Sequence, residues 1–202
     1  MPPAASPEDE NPFRPPHPLA AAFIERLRGA TLPVLEFASG SGRNSAALEK
    51  SGFRVVRIDD AIAASPSPFA AVDGPFAGVL STHGLLHGTA AIIAANIRTI
   101  AELVTPNGVL YATFGSVNDS RFGIGQRLDA ATYAPADGDE AGIAHTFFNR
   151  EGIRTLLESH FAIQSLEERS VDEIAGKWAH RETPLANAVH WFAVATVSET
   201  NR

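Results

Sequence analysis

Cysteine is absent from the 202 residues, which excludes disulfides, thiolate catalysis and cysteine-built metal sites. Basic charge is scarce as well. Sixteen Lys and Arg stand against 23 Asp and Glu, a net charge of −7, whereas a nucleic-acid partner calls for a basic face. No apolar run is long enough to span a bilayer, and nothing resembles a signal peptide. The expected setting is therefore the cytoplasm, without membrane or nucleic-acid partners. No internal repeat is visible. What remains is ordinary for a globular protein: 45% apolar and 19% charged residues. The chain is long enough for one domain with a real core.

Seven of the 14 prolines fall within residues 1–18, which predicts a mobile or extended segment. Residues 19–202 then form the single domain. Leu19 to Arg28 reads as a helix with Leu19, Ala22, Phe23 and Leu27 on one side, stopped at Gly29.

The rest of the chain is organised around the stretch Pro33 to Asn44, PVLEFASGSGRN. It reads as a buried strand, Val34 to Phe37, then a loop carrying Gly40 and Gly42, then a helix from Arg43 to Lys50 closed by Ser51-Gly52. Glycines let the backbone approach a ligand closely, and a helix start offers unpaired N–H groups. The carboxylate of Glu36 suits a ligand with hydroxyls or positive charge better than a pyrophosphate. A strand-to-helix turn of any α/β protein would look similar. A second strand, Phe53 to Ile58, ends in Asp59-Asp60 and makes the pair a βαβ unit with a polar tip on each strand.

Residues 61–75 carry Pro66 and Pro68 and are too few for a helix, a strand and a second helix, so any strand there is short or missing. A short buried strand, Ala77 to Leu80, leads into the loop STHGLLHG, residues 81–88. Thr89 caps a helix reaching Val104, with Ile93, Ile97 and Ile100 on its stripe. After the turn Thr105-Pro106-Asn107-Gly108 comes a strand, Val109 to Phe114, and then a 34-residue connection, 115–148. Asn149 caps a helix to Ser159, Phe161 to Leu166 is a strand, and 167–187 is a polar connection. Val189 to Val197 is a last strand apolar on both faces, which predicts a central place in the sheet.

This order resembles the class I S-adenosylmethionine-dependent methyltransferases, over about Leu19 to Val197. The resemblance rests on VLEFASGSGRNS at 34–45, Ile58-Asp59, LVTPNGVL at 103–110 and HTFFNREGIRTLL at 145–157. The last segment is similar to that of small-molecule members, including tellurite-resistance-like methyltransferases. The resemblance implies an α/β fold: a Rossmann-like, mostly parallel sheet with helices on both faces and a C-terminal antiparallel hairpin. It implies S-adenosyl-L-methionine as cofactor and a small-molecule methyl acceptor, with the protein a monomer or homodimer.

By that resemblance Glu36 faces the cationic methionine end of the cofactor, and Asp59, or Asp60 beside it, accepts the ribose hydroxyls. The loop Ala38, Ser39, Gly40, Gly42, Arg43 and Asn44 lies along the cofactor. Ser81, Thr82 and His83 stand beside the transferred methyl. Two departures stand out. Ala38 occupies the place of the family's first loop glycine, and 61–75 lacks room for the third strand, leaving Asp73 as a stand-in for the adenine-binding residue.

The sulfonium is already activated, so alignment carries most of the chemistry and a base serves only a protonated acceptor. His83, His87 and His145 are the candidate bases, each equally readable as structural. His83 and His87 are four residues apart, a metal-ligand spacing on a helix, with His145 a conceivable third ligand. Gly84 and Gly88 argue against that helix, and the expectation is no metal. Arg121, Tyr133 and Trp178 are candidate acceptor-pocket residues or ordinary loop packing. Two other readings stand beside the leading one. The first is an inactive methyltransferase-like binding module, suggested by Ala38 and the short segment. The second is a nicotinamide-dependent oxidoreductase, against which Glu36 would face pyrophosphate and Ser45 takes the third glycine's place.

Overall fold

Alternation along the strands sets the architecture. Val34, Leu80, Val109 and Tyr111 pack under one pair of helices, and Leu35, Phe37, Val79, Leu110 and Phe114 pack under another. The computed structural model describes residues 16–59, 68–138, 140–171 and 187–198. The strands are β1 (Val34–Phe37), β2 (Val55–Ile58), β3 (Phe76–Ser81), β4 (Val104–Ser116), β5 (Gln126–Arg127), β6 (Thr132–Ala134), β7 (His145–Phe148), β8 (Phe161–Ser170) and β9 (Val189–Val197). The helices are α1 (Pro18–Arg26), α2 (Arg43–Lys50), α3 (Ala90–Leu103) and α4 (Arg150–Glu158).

The main sheet runs β2-β1-β3-β4-β9-β8. The first four strands are parallel, and β8 and β9 form the antiparallel hairpin. Helices α1 and α2 lie over one face with Leu19, Phe23 and Leu48, while α3 and α4 lie over the other with Ile93, Ile97, Ile100, Ile153 and Leu157. This is the expected Rossmann-like arrangement, and β9, last in sequence, is interior. Residues 61–67 of the segment expected to have a short or missing third strand lie outside the described residues, and its described part, 68–75, holds no strand.

The caps are local and readable. Thr89 Oγ1 accepts from Ile92 N, and Asn149 Oδ1 accepts from Gly152 N. The turn expected at 105–108 lies within β4 as a bulge: Asn107 has φ +61°, and the register against β3 shifts between Phe76 and Gly78.

Two expectations are corrected. Residues 16–18, expected to belong to a mobile or extended segment, are packed instead, while 1–15 lie outside the described residues. His17 is fully buried and caps α1, its Nδ1 accepting from Leu19 N at 3.1 Å. A histidine between prolines gives no cap signal in sequence, and the site that buries it is assembled from distant strands. The connection 115–148 is also not strandless. It holds β5, β6 and β7, of two, three and four residues, too short to show alternation. Strand β3 pairs with β4 only as far as Ser81 and Ala112, and β7 then pairs with β4 at Gly115 and Ser116. Because β9 occupies β4 from Val109 to Gly115, β7 takes over the edge that β3 has left. That handover brings the long connection to the strand tips.

Candidate functional site

Polar side chains concentrate where β1, β3 and β4 end. Glu36 alternates onto the α2 side of the sheet and is 1% exposed. Its carboxylate accepts a short hydrogen bond from Ser45 Oγ in the first turn of α2. Burial pushes its pKa up, opposed by hydrogen bonds from Ser45 and Asn44 and by the charges of Arg57 and Arg43. Asn44 ties three segments together: its Oδ1 accepts from His17 N at 2.9 Å, and its Nδ2 donates to Thr82 Oγ1 at 3.0 Å. Arg43 is buried in the same group.

The loop between β1 and α2 has the conformation its glycines suggest. Gly40 and Gly42 have φ of +49° and +75°, and Ser39 N bonds Ile58 O at 3.0 Å. Ala38 is also left-handed, at φ +59°. Its methyl lies against Gly84: a Cβ at Gly84 would stand 2.4 Å from the Ala38 Cβ and 2.8 Å from Ser81 Oγ. The alanine in one loop is therefore accommodated by a glycine in the next. Ser81 is fully buried, and its Oγ has no hydrogen-bond partner among the described residues.

His83 is left-handed, at φ +73°, and its N–H donates to Thr113 Oγ1 at 2.8 Å. Its ring meets His190 edge-on at 5.2 Å and His17 at 6.0 Å, and His17 stacks on Phe192 at 5.5 Å. Burial, Arg43 and the other imidazole lower His17 to about 3. Burial, with Arg121, lowers His190 to about 4. Arg121 Nη2 donates to His190 Nε2 at 3.1 Å, so the proton of the neutral ring sits on Nδ1, which is buried without a hydrogen-bond partner among the described residues.

Asp119 fastens this side. It takes a fork from Arg121 at 2.9 and 3.1 Å and accepts backbone N–H groups of Arg121 and Val189, each at 2.9 Å. These bonds hold its carboxyl below the usual range against its burial. Arg121 reaches on to Glu140 at 3.4 Å through Nη1. Glu140 lies 3.3 Å from His145 Nε2 and 3.9 Å from His87 Nε2. Its pKa is lowered to about 2, first by the contact with His145, while burial and His145 lower His87 to about 4.

The expected residues are thus only partly assembled. Glu36, Ala38, Ser39, Gly40, Gly42, Arg43, Asn44, Ser81, Thr82 and His83 share the strand tips. Asp59 follows β2 there and is exposed. Asp73 is not with them. It precedes β3 at the amino end of the sheet, where the adjacent Gly74 packs on the carbonyl of Leu103. Asp60 and Trp178 lie outside the described residues. Arg121 joins the buried network. Tyr133 instead packs edge-on with Phe122 at 5.4 Å, near Phe147. His83 and His87 do not share a helix face: three residues of 3₁₀ helix separate them, and His83 turns to His190 while His87 meets His145. Sequence reasoning missed His17, Asp119, Glu140 and His190. Only Glu140, five residues before His145, had a sequence signal.

By sequence the chain matches no protein-family profile and no curated protein. Solved structures do match. An S-adenosylmethionine-dependent methyltransferase of Methanosarcina mazei aligns with TM-score 0.64 at 15% identity, over 86% of this chain and 95% of that one. The 1,6-didemethyltoxoflavin N1-methyltransferase of Burkholderia thailandensis, bound to 1,6-didemethyltoxoflavin and S-adenosylhomocysteine, aligns with TM-score 0.61 at 19% identity, over 95% and 80%. Magnesium protoporphyrin IX methyltransferase of Synechocystis aligns with TM-score 0.56 at 16% identity, over 89% and 76%. At such identities the likeness establishes the fold, which is the Rossmann-like one of S-adenosylmethionine-dependent methyltransferases. Among the described residues no helix is long and apolar enough to cross a membrane.

Proposed function

We propose that this protein transfers the methyl group of S-adenosylmethionine to a small-molecule acceptor. The observation that carries the reading is Glu36: a buried carboxylate at the tip of β1, held by the first turn of α2 beside a left-handed glycine loop. A sulfonium is a fitting partner, because a nearby cation offsets the desolvation that raises the Glu36 pKa. A pyrophosphate is a poor one, which weighs against a nicotinamide cofactor. Asp59 holds the ribose hydroxyls, and the loop from Ala38 to Asn44 lies along the methionine portion.

The acceptor is met from the other side. Ser81 Oγ and the Nδ1–H of His190 are the polar groups there that lack hydrogen-bond partners among the described residues, and His83 lies between β3 and β9. An acceptor bearing a hydroxyl, amine or ring nitrogen matches them. The fold neighbours from Burkholderia and Synechocystis act on toxoflavin-type and porphyrin molecules, which supports a small acceptor. HTFFNREGIRTLL points within that class toward the tellurite-resistance-like subtype. His83 has the best position for a base, whereas His87 and His145 face each other at β7.

Calorimetric titration with S-adenosylhomocysteine tests the reading. Saturable binding that weakens in Asp59→Ala supports it, and no binding by the wild type overturns it. The short, proline-broken segment 61–75 favours a second reading, a binding module without turnover. Its signature is intact cofactor binding with no methyl transfer across acceptor classes.

A further inference from the structure

Glu140, His87 and His145 are brought together by the handover from β3 to β7. His87 and His145 face each other as a lone antiparallel bridge. Gly88 N donates to Ala144 O at 2.8 Å, and Thr146 Oγ1 donates to Gly88 O at 2.7 Å. The two imidazoles meet edge-on at 4.8 Å, and one nitrogen of each, with a Glu140 oxygen, lie within 4.8 Å of one another.

The hydrogen bonding of His145 says what this arrangement lacks. Its Nδ1 is 2.8 Å from the Ile143 carbonyl, which can only accept, so the proton sits on Nδ1. The lone pair is then on Nε2. That atom is buried without a hydrogen-bond partner among the described residues, in a side chain 3% exposed, and it faces a Glu140 oxygen at 3.3 Å. With the ring neutral, two lone pairs at that distance repel unless a proton or a metal cation lies between them. A carbonyl that fixes the tautomer and aims the ring is what a metal-binding histidine ordinarily has behind it. His87 offers a second ring nitrogen, its Nε2 3.9 Å from the other Glu140 oxygen.

We propose that His87, Glu140 and His145 bind a divalent first-row transition metal. Two imidazoles and one carboxylate suit Zn²⁺, Fe²⁺ or Co²⁺ rather than Ca²⁺ or Mg²⁺, which prefer oxygen ligands. Donor separations of about 3–4 Å follow from metal–ligand bonds of about 2.0–2.2 Å. Arg121 positions Glu140 through Nη1, and Asp119 neutralises that guanidinium, so the site keeps the carboxylate charge that attracts a cation. Three protein ligands leave a position open for water or for an acceptor oxygen or nitrogen. That last role rests on the proposed methyl transfer; the metal site itself does not.

The test is calorimetry of tag-free full-length protein with Zn²⁺, repeated with Co²⁺ while its visible d–d bands are recorded. The wild type should bind one equivalent with micromolar or tighter affinity. Glu140→Gln, close to isosteric, should weaken binding by about tenfold or more while the far-UV spectrum is unchanged, and His145→Gln should do the same. His160→Gln, a histidine outside the cluster, should bind like the wild type. Absence of saturable binding by the wild type overturns the proposal. So does equal affinity in Glu140→Gln and His145→Gln, which would leave only a protonated His145 paired with Glu140. None of these readouts requires cofactor or turnover, so failure here leaves the methyl-transfer reading standing, and the reverse also holds.

Discussion

At the glycine-loop end of the site, the polar groups are joined by direct donor–acceptor pairs: Ser45 to Glu36, Asn44 to Thr82, and the His17 backbone to Asn44. At the β7 end the geometry is different. Asp119 and Arg121 form a forked ion pair, and beyond it imidazole nitrogens of His145 and His87 face Glu140 carboxylate oxygens across 3.3 Å and 3.9 Å. The first end is finished by the chain itself, apart from the open Ser81 hydroxyl. The second is finished only when something arrives. A cofactor-holding loop has to be in place before binding, whereas a surface that receives an acceptor or a cation keeps donors and lone pairs in reserve.

The strongest way to break the comparison is to remove Asp119. Its side chain is fully buried, and Arg121 is 20% exposed. Taking away one partner of a buried pair costs about 3–5 kcal/mol, and the contact that Arg121 keeps with Glu140 puts this variant at the lower end. Asp119→Ala also loses the bond to Val189 N that ties the end of β4 to the start of β9. The urea midpoint should fall accordingly. Ser45→Ala at the other end should cost about 1–3 kcal/mol, since only one bond to a buried carboxylate is lost. Equal losses in the two variants would contradict the distinction.

Next in size is the cofactor test. Asp59→Ala removes a charged acceptor of two ribose hydroxyl bonds, worth about 3 kcal/mol together, or roughly a hundredfold in Kd for S-adenosylhomocysteine. Because Asp59 is exposed, stability should hardly change, and that separates the variant from Asp119→Ala. An unchanged Kd would remove Asp59 from the site.

The two ends also differ in how legible they are from sequence. The glycine-loop end follows from local chemistry: a strand ending in Glu36, glycines at left-handed positions, and a helix starting at Arg43. All the groups there except His17, Ser81 and Thr82 lie within ten residues of one another, so pattern suffices. The strand order, the caps at Thr89 and Asn149 and the interior place of β9 follow from period and apolarity in the same way. The β7 end does not. His87, Asp119, Glu140, His145 and His190 are far apart in the chain and meet because β7 replaces β3 along β4, a register event with no sequence signature. Four-residue spacing drew attention to His83 and His87 as a pair, but the 3₁₀ turn between them sends them to different partners. Asp73 failed for a related reason. Spacing alone did not say at which end of the sheet it would fall.

Acid should expose the imidazole-rich side. His17, His87 and His190 have folded pKa values of about 3, 4 and 4, all below the ordinary 6.5, because burial disfavours the charged ring. For a group lowered by folding, stability is full above the unfolded value and is lost as pH falls through 6.5 toward the folded value. Unfolding monitored between pH 7.5 and 4.5 should therefore show a falling midpoint, steepest below 6.5. Glu36 has the opposite sign, since its raised pKa costs stability as pH rises, and it partly offsets this limb. His17→Asn keeps a capping oxygen and removes the imidazole. The acid slope should then shrink by about one proton, roughly 1.4 kcal/mol per pH unit. An unaltered slope would mean that His17 is not among the groups protonated on unfolding.

The smallest effect bears on Ala38, the residue that most invites doubt about cofactor binding. A left-handed alanine costs about 1–2 kcal/mol, and a glycine there returns about 0.5–1 kcal/mol of that through the entropy of the unfolded chain. Ala38→Gly should thus stabilise by no more than about 1.5 kcal/mol. The methyl it removes lies against Gly84, on the side of β3, so the Kd for S-adenosylhomocysteine should stay within about twofold of wild type, a change of about 0.4 kcal/mol. Gly84→Ala is the complementary variant: its new Cβ would fall 2.4 Å from the Ala38 methyl and 3.0 Å from the Phe37 carbonyl. It should destabilise, and adding Ala38→Gly should restore part of the loss but not all, because the carbonyl contact remains. A large gain in cofactor affinity from Ala38→Gly alone would show instead that the methyl intrudes on the ligand, and that Gly84 does not absorb the departure from glycine.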